Sequence, residues 1–182
     1  DSRRQAVRDK TVQTLFLLET ERLEEAAESD RLALLFVCAH PAIDVRDRTP
    51  LMLQVVLGLD AETIGRAFMR SKEAMAKRLV RAKAKIKKAC IPFELPERSQ
   101  WVSRLDAVLE AIYAAYGQRF DYASGPSPDL RDDAVHLARL VAGALPQEPE
   151  AQGLHSLLCF FESRADAGFV DGRYVPLDRQ DT

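Results

Sequence analysis

The sequence predicts an all-α fold, and three observations lead there. Ala, Leu, Arg, Glu and Lys dominate while aromatic residues are only 7% of 182, a composition of strong helix formers. Apolar residues recur at helical spacing in segment after segment, and strand-like alternation is confined to the short RYVPL near the C-terminus. Ser, Thr and Asp stand at capping positions ahead of several of these segments.

Residues 1–28 set Leu15, Leu18 and Leu23 among many charges and read as one amphipathic or partly ordered helix ending near AESD. From Arg31 to Ala39 the run LALLFVCA reads as a buried helix, stopped at His40-Pro41 because proline disfavours helix in the residue before it. Asp44 to Arg48 is a charged connector. Thr49 is then expected to N-cap a helix with Pro50 at its first position, running through LMLQVVL to a C′ glycine, Gly58. Asp60 caps AETIGRAFM, with Leu59 and Ile64 as a hydrophobic staple. After a break at Met69-Arg70-Ser71, Ser71 caps a long helix from Lys72 to about Ala89, with Glu73 in its first turn favouring the dipole.

IPFELPE, with Pro92 and Pro96, is a stiff linker. Beyond it, Trp101–Tyr116, Leu130–Leu145 and Glu150–Ala167 show helical spacing, joined by SGPSP and PQEP. Ala138, Ala142, Gly143 and Ala144 occupy expected close-packing positions, and GFVDGRYVPLDRQDT reads as a loop or frayed terminus. The organisation expected is a linker helix over 1–28, a helix-turn-helix domain over 29–90, a Pro-containing linker over 91–96 and a helical extension over 97–182.

Charge is strongly segregated. The 23 residues from Arg66 to Lys88 hold ten of the chain's 26 Lys and Arg and one of its 28 acids, Glu73, for a net +9. The other residues carry 16 basic and 27 acidic groups, or −11. Positive charge gathered on one helix of an otherwise acidic chain points to a polyanion, and nucleic acid is the foremost one. No apolar run approaches the roughly 20 residues that cross a bilayer, and DSRRQAVRDK lacks the apolar core of a signal peptide. Cys38, Cys90 and Cys159 form no disulfide framework, so a reducing cytoplasm is the expected compartment and no membrane partner is expected. The chain starts with Asp rather than Met, and a piece of a longer protein is expected.

Residues 60–88 match a helix-turn-helix, whose second helix enters the major groove. At about 100° per residue, Met75, Leu79, Ala82 and Ile86 form one stripe within roughly 60°, while Lys77, Arg78, Arg81, Lys85 and Lys88 share an adjacent arc with Ala74. Ser71, Lys72, Glu73, Ala74, Lys77 and Arg78 are the expected base-proximal residues. Glu73 is suited to cytosine N4 and Arg78 to guanine O6 and N7. Arg81, Lys85 and Lys88 are expected to hold phosphates.

Other chemistry finds little support. Cys38 and His40 lack a second ligand pair for zinc, and His155 and Cys159, with His136 on the preceding helix, read as packing residues. There is no G-x-S-x-G, no phosphate-binding glycine loop and no catalytic carboxylate pair, so neither an enzyme nor a cofactor is expected. Cys90 reads as a plain interdomain cysteine.

LLFVCAHPAI, the helix-turn-helix and AFMRSKEAMAKRLVRAKAKIKKACIPFELP resemble the sigma-70 family, and within it the extracytoplasmic-function (ECF) sigma factors with a helical C-terminal extension. RLDAVLEAIYAAYGQRF and LARLVAGALPQEPEAQGLHSLL resemble that tetratricopeptide-like extension. The resemblance covers about residues 5–178. It implies that Arg78-Leu79-Val80-Arg81-Ala82-Lys83 lies in the recognition helix of region 4, which reads the −35 promoter element. It also implies docking on the β flap of RNA polymerase, with the helices around Leu34–Val37 and Leu51–Val56 as contributors. The C-terminal helices would bind a regulatory protein or make an intramolecular contact. Region 2, which binds the −10 element, has no counterpart in residues 1–182, in keeping with a fragment. Two rivals remain: a stand-alone helix-turn-helix regulator, which is a dimer on two half-sites, and an interaction scaffold whose basic helix is merely solvated.

Overall fold

A computed structural model describes residues 22–117, 128–164, 169–170 and 173–176. The fold is all-α. Among the described residues are seven helices: α1 (22–38), α2 (Val45–Val55), α3 (Ala61–Ala67), α4 (Lys72–Lys88), α5 (Arg98–Gly117), α6 (Pro128–Ala144) and α7 (Pro149–Ser163). A two-residue antiparallel pair follows, β1 (Phe169–Val170) with β2 (Arg173–Tyr174), in which Phe169 faces Tyr174 and Val170 faces Arg173. Of the alternating RYVPL, Arg173 and Tyr174 take part. Leu15, Leu18 and SGPSP up to its final proline lie outside the described residues.

The expected helix end at AESD is absent. α1 continues through Ser29 and Asp30, because its charges find partners on α6 while its apolar side joins the core. Arg31 pairs with Asp133 at 2.6 Å, and Glu28 accepts from Arg139 at 2.8 Å. Leu32, Leu35 and Phe36 are buried.

α2 begins five residues before Pro50, not beside it. The Asp44 carboxylate accepts from the Arg46 N–H at 3.0 Å and caps the helix there. Thr49 is consequently buried inside the helix, and Pro50 is an interior residue. At the far end Gly58 takes φ 69°, the left-handed geometry expected of it, and its N–H reaches Gln54 O at 3.1 Å.

The core does not stop at the linker over 91–96. Phe36 of α1 stacks on Trp101 of α5 with ring centroids 4.9 Å apart. One continuous apolar cluster joins Leu35, Leu53, Ile64, Met75 and Leu79 to Val108, Ile112, Leu137 and Leu158. Arg104 of α5, 6% exposed, donates to Phe36 O at 3.0 Å. That carbonyl lies at the end of α1, where the His40 N–H turns to Val37 O instead. Burial, and secondarily the nearby charge of Arg48, pulls the Arg104 pKa down.

In the C-terminal half, Ala134, Ala138 and Ala142 recur every fourth residue and are buried. Gly143 is exposed with nothing near its missing side chain, so it is no packing position, contrary to expectation. Gln152 of α7 donates to Ala142 O at 2.7 Å and closes the end of α6. Glu162 of α7 accepts from Tyr116 at 2.7 Å and pairs with Arg131, tying α5, α6 and α7 together.

Candidate nucleic-acid interface

Local sequence signals build the α3–turn–α4 unit. The Thr63 N–H donates to Asp60 Oδ1 at 2.7 Å, a cap that holds the Asp60 carboxyl below its ordinary pKa. Ile64 is fully buried, with Leu59 packed at the edge of the core. The helix ends in a Schellman turn: Met69 N–H to Arg66 O at 3.1 Å and Arg70 N–H to Gly65 O at 2.8 Å. Met69 occupies the left-handed C′ position at φ 50°, where glycine is usual. Gly65 lets the turn close, since a Cβ there would stand 2.8 Å from the Arg70 carbonyl oxygen.

Ser71 then caps α4. Its Oγ accepts from the Ala74 N–H at 3.2 Å. Lys72 reaches back across the turn to Glu62 at 3.1 Å, which raises its pKa. Hydrogen bonds from its own backbone N–H and from Ser71 hold the Glu73 carboxyl down. The long helix buries Met75, Leu79 and Ala82, with Ile86 half-buried against the core. This is the stripe that helical spacing predicts. Lys85, Lys87 and Lys88 in the last turn favour the negative end of the dipole.

Of the nine candidate residues, Ser71, Lys72, Glu73, Ala74, Lys77, Arg81, Lys85 and Lys88 are exposed. Arg78 is not. Its Nε donates to Asp47 Oδ1 at 2.5 Å and its Nη2 to the Arg46 carbonyl, both in α2. On the helix, Arg78 sits about 60° from the buried stripe, on the flank turned toward α2. The guanidinium is therefore engaged away from the exposed face, which corrects its placement among the base-proximal residues.

The face opposite the stripe holds Glu73, Lys77, Ala84 and Lys88, flanked by Val80 and Arg81. Val80, 67% exposed, was not among the sequence candidates. Measuring from the direction opposite the stripe, rather than from the densest arc of cations, would have found it. None of Lys77, Arg81, Lys83, Lys85, Lys87 and Lys88 forms an ion pair among the described residues.

Elsewhere, burial pushes the Cys38 thiol up to about 12, far from a reactive thiolate. Burial first, then the charges of Arg104 and Arg48, lowers the His40 pKa, and His40 Nδ1 accepts from the Ala42 N–H at 3.1 Å. Among the described residues no group of three or more His, Cys, Asp or Glu is placed to hold a metal. No described helix is long and apolar enough to cross a membrane.

Residues 104–182 match the Family of unknown function (DUF6596), a family found in sigma-70-like proteins. An uncharacterised protein of Rhizobium meliloti (strain 1021) is 42% identical over 166 residues, which are 88% of this chain and 39% of that protein. The chain thus spans well under half the length of that relative. No solved structure matches.

Proposed function

We propose that this chain is the promoter-reading part of an alternative sigma factor of the ECF kind. It binds one −35-type DNA element through α4 and brings RNA polymerase to it, as a binding protein without chemistry of its own. The observation that carries this reading is the capped α3–turn–α4 unit, which buries Met75, Leu79 and Ala82 and turns Lys77, Arg81, Lys85 and Lys88 outward. At roughly 1.5 Å per residue the 17-residue helix is about 25 Å long, enough to lie along a major groove. The match over α5–α7 to a family found in sigma-70-like proteins supports the same reading.

Glu73, Ala74 and Lys77 at the N-terminal end of α4 read base edges, with Ser71 and Lys72 beside them, and Val80 adds an apolar contact suited to a thymine methyl. Arg81, Lys85 and Lys88 hold phosphates. Docking on the polymerase β flap rests on the resemblance, since Leu35–Val37 and Leu51–Leu53 are spent on the core. The cytoplasm is the compartment in which this function operates.

Selection from a randomised duplex pool tests the reading. One asymmetric element bound by a monomer is expected, with Arg81→Ala weakening every selected duplex alike and flattening the salt slope by about one. Two half-sites bound by a dimer would instead give the stand-alone regulator, and no selected DNA would leave the scaffold.

A further inference from the structure

Pro50 is the sixth residue of α2, so its missing N–H is one the helix would use. An N–H there would bond to the Arg46 carbonyl, one turn back. That carbonyl accepts instead from Arg78 of α4, whose Nε holds the adjacent Asp47. The Arg78 and Asp47 side chains are 21% and 18% exposed. We propose that Pro50 and Arg78 are a matched pair: the proline opens an acceptor on α2, and the guanidinium fills it to fix the orientation of α4.

An arginine suits this place. Its rigid fork presents two donors to two acceptors on neighbouring residues, which a point charge such as lysine cannot do. The apolar contacts of the Met75–Leu79–Ala82 stripe are non-directional and allow a helix to roll. The two-pronged contact is directional and does not. Arg78 is thus a positioning residue for the exposed face of α4. Its consequence for binding rests on the DNA reading: loss of Arg78 weakens all duplexes alike rather than relaxing the choice at one base pair.

Thermal unfolding of the 182-residue chain with Arg78→Ala, Pro50→Ala and both substitutions tests the pairing. Arg78→Ala lowers Tm by about 4–8 °C in the parent background. Pro50→Ala returns an N–H to the Arg46 carbonyl, so in that background the loss shrinks to roughly half, the remainder belonging to the Asp47 pair. Equal losses in both backgrounds overturn the proposal. If Arg78→Ala does not fold, Arg78→Lys, which keeps the charge without the fork, completes the same cycle. Pool selection with Arg78→Lys supplies the binding arm: unchanged base preference with several-fold weaker affinity throughout supports positioning. A preference lost at one base pair, with Tm unchanged, overturns it. If the parent chain selects no DNA, the DNA reading fails while the melting cycle still decides the pairing.

Discussion

α4 and α7 each bury one stripe, yet they leave different things outside. α7 turns Leu157, Phe160 and Phe161 to solvent and commits its Glu162 to Arg131 and Tyr116. α4 keeps Lys77, Arg81, Lys83, Lys85, Lys87 and Lys88 on the surface without ion pairs among the described residues, while its Lys72 and Arg78 pair with Glu62 and Asp47. Several of them stand one turn apart, as Lys77, Arg81 and Lys85 do. Like charges at that spacing destabilise a helix by about 0.2–0.5 kcal/mol a pair. In the C-terminal half, Arg131, Asp133, Arg139 and Glu162 stitch helices together. On α4 charge is held against the interest of stability, as expected of a surface built to meet an opposite charge.

The two regions nevertheless share one core, and the substitution expected to do most tests that. Phe36 is fully buried and stacked on Trp101. Phe36→Ala is expected to cost about 3–5 kcal/mol and to lower the melting of both regions in a single transition. A calorimetric scan splitting into two transitions, with one unmoved, would show that the regions fold apart. Two glycines give a smaller contrast. Gly65→Ala drives a Cβ against the Arg70 carbonyl, for a loss of about 1–3 kcal/mol by chemical denaturation. Gly153→Ala lies on α7 with nothing within 4 Å, and should gain about 0.5–1 kcal/mol from helix propensity. Equal effects at the two positions would remove the distinction between a turn that must close tightly and an ordinary helix surface.

What the sequence made legible is local. Caps at Asp60 and Ser71, the Gly58 turn and the Met75–Leu79–Ala82 stripe depend on residues within a turn or two of each other, and all are present. The all-α class follows from the same periodicity. The structure departs from the local pattern where distant residues decide. Thr49-Pro50 is a good helix start by itself, but the cap at Asp44 prevails, since Arg78 relieves the carbonyl that Pro50 strands. AESD looks like a helix end, yet α6 supplies partners for Glu28 and Arg31. Arg78 itself belonged to the cationic arc by angle, and only the position of α2 shows which edge of that arc is covered. The continuity of the core from α1 to α5 rests on Phe36, Trp101 and Arg104, residues that no local pattern connects.

On the proposed reading, the exposed cations of α4 are a phosphate-binding surface. Titrating the affinity of the chain for a selected duplex against salt tests it most directly. With Arg81, Lys85 and Lys88 on phosphates, the log–log slope should be about −3. A slope near zero would contradict the account and leave α4 as a solvated helix.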